Sequence, residues 1–250
     1  MAEPALRTEA LQKLFGGLAA VNDVSLECYV GRLHAVIGPN GAGKTTLINL
    51  LSGDLAPSGG RVELLGKEVT GFAAHRISQL GVGRSYQRTN IFMRFTAFEN
   101  CRLAAQSRLP SSMRFLRPAV RYGEVNDAAA RALALAGLRG RAAVVAAELS
   151  HGERRQLEVA MTLATQPKVL LLDEPLAGMG AEESARMVEL LRTLVAGHAM
   201  LLVEHDMDAV FALADTLTVM VNGNVLASGT PNEIRANDEV QKAYLGDADD

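Results

Sequence analysis

Residues Gly38-Pro39-Asn40-Gly41-Ala42-Gly43-Lys44-Thr45-Thr46 match the pattern G-x-x-x-x-G-K-[ST], and each residue type in it suits one task in holding a chain of phosphates. Polyphosphate requires several N–H donors converging on it. Glycines let the backbone approach, and a helix after the loop adds the positive end of its dipole. Lys44 is expected to act as an exposed point charge neutralising the β and γ phosphates, with the Thr45 hydroxyl taking one position on magnesium. The flanks agree with this use, since Leu33 to Ile37 reads as an apolar strand and Thr46 to Leu51 as a helix. A bland Gly-rich turn is the competing reading, and it gives no reason for the strand, loop and helix falling in this order. These residues imply a site for a nucleoside triphosphate.

Further groups with chemical potential lie downstream. Val169-Leu170-Leu171-Leu172-Asp173-Glu174-Pro175 is an apolar run too short for a helix, hence a buried parallel strand ending in two carboxylates. Adjacent acids at the end of such a strand need a cation or a proton to handle. Asp173 would hold the magnesium shell and Glu174 would orient and polarise an attacking water, the plainer alternative being salt bridges to arginine. Met200 to Val203 is another buried strand, ending at Glu204-His205-Asp206, so His205 emerges at a strand end, where open α/β sheets bind ligands. A structural histidine is the rival there. In Leu149-Ser150-His151-Gly152-Glu153, Ser150 is placed to cap a helix beginning near Glu153, and Gly152 leaves backbone N–H groups uncovered. That segment is either a second anion site or a plain N-cap. Gln87 stands on what reads as a loop leaving a strand and by itself carries little weight. Phe15, followed by two glycines, offers a ring either for stacking on adenine or for the core.

The elements that must position these groups are legible in outline. Val24 to Val30 and Val62 to Leu65 are short extended runs, with Gly16-Gly17 and Gly59-Gly60 read as turns, forming a small antiparallel layer. From Ile91 to Leu149 the character changes to helix formers, with helices expected over Phe98 to Gln106 and Asn126 to Leu138. The organisation expected is one domain over residues 1–250. Its antiparallel layer and nucleotide core are made of 1–90 and 160–250, with a helical subdomain inserted at about 91–159. Glu182 to Val195 reads as an amphipathic helix, Thr216 to Val221 and Asn224 to Ala227 as a hairpin over Asn222-Gly223, and Thr230-Pro231-Asn232-Glu233 as a capping box.

Composition narrows the class. With 250 residues, 48% of them hydrophobic, and a mean hydropathy of +0.11, the chain can bury a sizeable core. A net charge of −3 leaves no basic footprint, so nucleic acid is not expected as a partner. The arginines at 102, 108, 114, 117, 121, 131, 139 and 141 form either a solvated helical face or a surface for lipid headgroups or a partner's acidic loops. Cys28 and Cys101 lie in no metal or redox spacing and read as buried thiols of a reducing compartment. Met1 to Phe15 is polar, so no signal peptide is expected, and no apolar run approaches the roughly 18 residues of a membrane span. A soluble, cytoplasmic protein is the expectation.

In order and spacing, these pieces resemble the ATP-binding cassette (ABC) ATPase family over essentially the whole chain. The resemblance implies an α/β P-loop NTPase core with an antiparallel β subdomain and an inserted helical subdomain. It makes Phe15 the adenine-stacking aromatic, with Val21 beside it, and Gly38 to Thr46 the phosphate loop. Ser150, Gly152 and Glu153 become the signature contacts to nucleotide. Gln87 becomes the Q-loop glutamine, shared between catalysis and magnesium, Thr45 and Asp173 magnesium ligands, Glu174 the catalytic acid and His205 the switch histidine. ATP and Mg2+ are the cofactors so implied. Within the family the sequence is most similar to the ATPase subunits of branched-chain amino acid importers. The features carrying this are Phe15-Gly16-Gly17 with Ala20-Val21, the long helical insertion, Glu204-His205-Asp206-Met207, and Ala243-Tyr244-Leu245-Gly246. Urea and amide importers are similar too, and lipopolysaccharide-export ATPases share the Tyr-Leu-Gly ending.

Three positions depart from the family pattern: His151 and Glu153 in the signature, and Gly180 where an aspartate usually crosses the dimer interface. The resemblance further implies a composite site made with a second ATPase subunit, two transmembrane permease subunits, an indirect periplasmic substrate-binding protein, and a peripheral place on the cytoplasmic face of the plasma membrane. Phe92, Phe95 and Phe98 are expected either to line the groove for a membrane subunit's helix or to pack in the core. An ABC protein acting on nucleic acid or ribosomes is the alternative of another class, disfavoured because this sequence shows neither a coiled-coil insertion nor a second cassette. A scaffold that binds ATP without turning it over is disfavoured by Glu174 and His205.

Overall fold

The computed structural model describes residues 3–86, 90–109 and 122–245, the side chains of 243–245 excepted. Contacts divide the chain into two units, the first made of Met1–Val82, Lys168–Glu174 and Arg192–Asp250, the second of Gly83–Pro167 and Pro175–Leu191.

In the first unit, β1 (Leu6–Phe15) and β2 (Leu18–Cys28) form a hairpin over Gly16-Gly17, and β3 (Arg32–Ile37) leads into helix α1 (Lys44–Ser52). β4 (Gly59–Leu64) and β5 (Lys67–Glu68) return to β1, giving an antiparallel sheet of order β2-β1-β4-β5. Gly59-Gly60 is therefore strand and not a turn, with Gly59 paired to Gln12. The physical reason is the register shift of β1 between Glu9 and Gln12, which a segment without side chains can follow. After α2 (Ala74–Gln79), β6 (Val82–Arg84) enters a second, six-stranded sheet. Later strands complete it: β7 (Val169–Asp173), β8 (Ala199–Val203), β9 (Thr216–Val221) and β10 (Asn224–Gly229), in the order β10-β9-β3-β8-β7-β6.

Strands β9, β3, β8 and β7 are parallel and in close register, Ile37 opposite Val219, Val36 opposite Val203 and Asp173 opposite Val203. Apart from His34, Thr218 and Asp173 their buried residues are apolar, as expected of a parallel sheet covered on both faces, and Leu170, Leu171, Leu172, Leu201 and Leu202 have no exposure. The register brings the carboxyl ends of β3, β7 and β8 level. Whatever follows Ile37, Asp173 and Val203 converges on one edge of the sheet. The β9–β10 hairpin turns on Asn222-Gly223, both at positive φ (49° and 81°), and Thr230 caps the helix Pro231–Arg235 with a reciprocal box to Glu233.

In the second unit α3 (Ala97–Gln106), α4 (Gly123–Leu135) and α5 (His151–Ala164) pack on one another in pairs. The inward positions are mostly small: Ala97, Cys101 and Ala105 on α3, Ala129 and Ala132 on α4, Ala160 on α5, with Leu133 and Leu157 as the large fillers. Alanine faces let helix axes come close, and each buried leucine contributes about 2 kcal/mol. Helix α6 (Ala181–Val195) begins in this unit. Two capping boxes set the starts of α3 and α5, Thr96 with Glu99 and Ser150 with Glu153. Ahead of α3, Asn100 is fully buried and ties down the segment 92–96. Its Oδ1 accepts from Phe92 N–H at 2.8 Å, and its Nδ2 donates to the carbonyls of Phe92 at 3.1 Å and Thr96 at 3.0 Å.

Candidate nucleotide site

The loop between β3 and α1 is built for a ligand with many acceptors. At Gly43, φ is +99° and an added Cβ would stand 2.2 Å from the Ala20 carbonyl oxygen, so no other residue fits and the main chain lies bare. Asn40, Gly41 and Thr45 are exposed, while Gly38 is buried against β9 and Thr46 half-buried. Lys44 departs from expectation. It is not an exposed point charge: its relative exposure is 9%, and its ammonium donates to the carbonyls of Gly38 at 2.6 Å and Pro39 at 3.0 Å. The cause is its place as the first residue of α1 directly beneath the loop, where the side chain turns back along the loop's own carbonyls. Burial pushes its pKa down from the ordinary value, while Glu174 and Asp173 pull it back up. These three ionisable side chains therefore share one electrostatic environment.

At the ends of β7 and β8, Asp173 is 2% exposed. Glu174 follows at φ +50°, the left-handed region that costs a side-chain-bearing residue about 1 kcal/mol or more. Its N–H donates to Val203 O at 2.9 Å, fixing the residue on the neighbouring strand. His205 Nδ1 lies 3.6 Å from Glu174 Oε1, with the imidazole largely exposed. Glu204 is buried and accepts from the His205 N–H at 3.1 Å, and Asp206 caps helix α7 (Met207–Leu213) through Ala209 N–H at 3.1 Å. The chain just past β8 is thus held from both sides of His205.

The second unit carries its own polar centre at the start of α5, which begins at His151. Ser150 Oγ accepts from Glu153 N–H at 3.1 Å and Glu153 Oε2 accepts from Ser150 N–H at 2.8 Å. Arg141 adds an ion pair to Glu153 at 2.8 Å. Burial pushes the Glu153 carboxyl up, but the Ser150 N–H, the Arg141 guanidinium and the Arg186 charge outweigh it and leave the carboxyl below its ordinary value. A cleft of about 380 Å³ opens here, lined among others by Arg141, Ser150, Gly152, Glu183 and Arg186.

The expected residues thus fall into two sets. Gly38 to Thr46, Asp173, Glu174 and His205 share the first unit, and Ser150, Gly152 and Glu153 the second. Phe15 is 48% exposed with the Lys13 ammonium 5.2 Å from its ring centre, which removes the core reading. Val21 is fully buried in the first unit's core. Gln87 lies outside the described residues, as do Arg114, Arg117 and Arg121. Phe92 and Phe95 are 51% and 42% exposed and stacked at 5.4 Å, so they are not core, whereas Phe98 is half-buried under Arg102. Sequence reasoning passed over Glu183 and Asn100, and it read Arg141 only as part of a solvated face or a surface for lipid or a partner, not as the ion-pair partner of Glu153. The capping pattern announced Glu153, but an acid in the first turn of α6 carries no local sign that it meets Ser150.

Comparison with known proteins extends these observations. The ABC transporter family matches residues 21–177, and a family described as branched-chain amino acid ATP-binding cassette transporter matches residues 224–250. The high-affinity branched-chain amino acid transport ATP-binding protein LivG of Salmonella typhimurium is 40% identical, covering 99% of this chain and 100% of the relative. BraF of Pseudomonas aeruginosa, described in the same words, is likewise 40% identical over 99% of this chain and 100% of its own. Two solved structures are similar at 29% identity: a nucleotide-free ATP-binding cassette from an ABC transporter, at TM-score 0.87 over 97% of this chain and 99% of that one, and the ADP conformation of such a cassette, at TM-score 0.85 over 98% and 100%. The residues placed above and these full-length likenesses agree, and the chain belongs to the ATP-binding cassette family of ABC transporters.

Proposed function

We propose that this chain is the ATP-hydrolysing subunit of an importer of branched-chain amino acids or related small polar solutes, and that its 250 residues work as a single cassette. The carrying observation is the level edge of the parallel sheet, where Lys44, Asp173, Glu174 and His205 follow successive strand ends beside a glycine loop only bare backbone can form. Relatives over the full length that are described as branched-chain amino acid transport proteins support the choice of solute.

Each residue has a task that its position allows. The loop N–H groups and the start of α1 bind the phosphates, and Lys44 exchanges its bonds to Gly38 and Pro39 for phosphate oxygens. Thr45 Oγ and the buried Asp173 carboxylate are hard oxygen donors, the kind Mg2+ takes, with Gln87 a third candidate from the sequence. Mg2+ bound there would offset the charge that builds on the phosphates. Glu174, held by the Val203 carbonyl and neighboured by His205, aligns the attacking water and accepts its proton, while His205 orients Glu174 and meets the terminal phosphate. Phe15 stacks on the adenine.

Ser150, Gly152 and Glu153 serve the nucleotide of a second ATPase subunit, so that hydrolysis needs a dimer. The exposed Phe92–Phe95 platform receives a helix from one of two permease subunits, which places the chain on the cytoplasmic face of the membrane. A periplasmic substrate-binding protein acts through the permease. No nucleic acid is involved.

The test is Glu174→Gln, which keeps size and geometry but removes the proton acceptor. Phosphate release should fall by about 10²-fold or more while nucleotide affinity stays within a small factor, and an ATP-stabilised dimer should accumulate on size exclusion. Hydrolysis near the wild-type rate removes Glu174 from the chemistry.

A further inference from the structure

The start of α5 is already engaged by an anion from its own chain. Glu183, in the first turn of α6, accepts a hydrogen bond from the Ser150 hydroxyl at 3.2 Å. Its carboxylate lies so close over Gly152 that a Cβ there would stand 2.4 Å from Glu183 Cδ and 2.5 Å from Oε1. The first turn of a helix presents N–H groups without intrahelical partners and the positive end of the dipole. Glu153 closes the capping box from one side, and Glu183 covers the other. Arg141 pairs with Glu153, and Arg186 with Glu182 at 2.7 Å, so neither of these guanidiniums holds Glu183 in place. What holds it is the serine hydroxyl, in the space that the missing side chain of Gly152 leaves open, and both features suit a phosphate oxygen.

We propose that Glu183 is a resident competitor at Ser150, a carboxylate that occupies the α5 N-terminus until a partner subunit's triphosphate displaces it, and so raises the ATP concentration needed for closure. The inference rests on the composite site proposed above. A carboxylate brings one negative charge to this place and the end of a triphosphate brings more, so exchange is favourable once the partner presents its nucleotide. Until then the hydroxyl and the helix start are occupied, and an isolated subunit offers no open anion receptor here. Gly152 is required twice over, since any side chain would exclude Glu183 and phosphate alike.

The experiment compares Glu174→Gln with Glu174→Gln/Glu183→Gln, using the full chain, Mg-ATP titration, and size exclusion with light scattering. Losing a contact that competes with ATP should lower the ATP concentration for half-maximal dimer by roughly three- to tenfold, the scale of one ordinary hydrogen bond, because this one is long and exposed to water. The gap between the two proteins should narrow at high salt, which screens the carboxylate's repulsion. Glu183→Asp, whose shorter arm no longer reaches Ser150, should shift in the same direction as Gln. Binding of a fluorescent ATP analogue to the monomer should not change, because the phosphate loop lies in the other unit. If the parent dimerises with ATP and the Glu183 variants need as much ATP or more, the competitor role is refuted and the composite site stands. If the parent stays monomeric at saturating ATP, the composite homodimer and this inference fall together.

Discussion

Asn100→Ala should unfasten the segment that carries Phe92 and Phe95. In the native protein the Asn100 side chain has no exposure and bridges one N–H and three carbonyls across residues 92–96. Alanine removes all four bonds, but the one to Phe95 O is long, at 3.5 Å, and adds little because that carbonyl keeps Ala146 N–H at 2.8 Å. The Phe92 N–H and carbonyl can reach water once the exposed segment loosens, so the full desolvation penalty is not paid. The Thr96 carbonyl keeps a helical partner in Asn100 N–H at 3.1 Å. At about 1 kcal/mol per lost bond, with one offset by hydration, the loss is roughly 2 kcal/mol. For a chain of this size that lowers the melting temperature by about 4–8 °C. Asn100→Asp makes a sharper test. It keeps the oxygen that accepts from Phe92 N–H but turns a second oxygen toward the Phe92 and Thr96 carbonyls, and buries a charge. It should therefore cost more than alanine, although it looks the milder change. Calorimetry gives the melting temperatures, and amide exchange at 92–96 locates the loss. A shift under about 2 °C for alanine, or an aspartate better tolerated than alanine, would refute this account of the segment.

Other perturbations have equally definite outcomes. Lys44→Ala should reduce nucleotide affinity by about 100-fold, the scale of one or two charge-assisted hydrogen bonds to phosphate, with the far-ultraviolet circular dichroism unchanged; isothermal titration decides it, and wild-type affinity would sink the loop assignment. His34 is 5% exposed, with Nδ1 2.9 Å from Glu27 O and Nε2 2.8 Å from Thr218 Oγ1, and burial, the leading cause, holds its pKa below the ordinary 6.5. The unfolded chain then binds the extra proton first, so stability present above 6.5 is lost as pH falls below that value, and His34→Gln should flatten urea midpoints measured across that window. Burial pushes the thiols of Cys28 and Cys101 each up to about 12. A maleimide at pH 8 should label neither in the native protein and both in urea, and rapid native labelling would contradict the packing described.

What was legible in the sequence is what is written locally. The glycine loop, the capping signals at Ser150 and Thr230, and the Asn222-Gly223 turn each depend on a few consecutive residues, so type and spacing announce them. The β7 leucines likewise declare burial on both faces. What sequence could not show comes from distant partners. Lys44 reads as a surface cation until its side chain is seen bent under Gly38 and Pro39. Gly59-Gly60 reads as a turn because nothing nearby reveals the bulge in β1 that lets it pair. Glu183 lies far along the chain from Ser150, and its carboxylate meets the start of α5 only because the first turns of α5 and α6 are neighbours within the second unit. Glu174 shows no sign of its left-handed backbone, which follows from the hydrogen bond to Val203 on β8.

The leucine run of β7 also raises a question of measurement. A strand alternating apolar and polar residues chooses its alignment by which face is wet, but Val169 to Leu172 is equally at home on either face, so slipping by one residue would bury the same kind of surface. Such a slip would carry Asp173 and Glu174 about 3.3 Å along the sheet and invert their side chains, far beyond the roughly 0.5 Å within which catalytic groups must be held. The ruler is therefore read at its ends. Lys168 and Val169 N–H both stop on Gly81 O, at 2.7 and 3.1 Å, Ala199 N–H on Lys168 O at 3.0 Å, and Glu174 N–H on Val203 O at 2.9 Å. The residue assigned the proton transfer is also the detent that keeps its own strand from ratcheting.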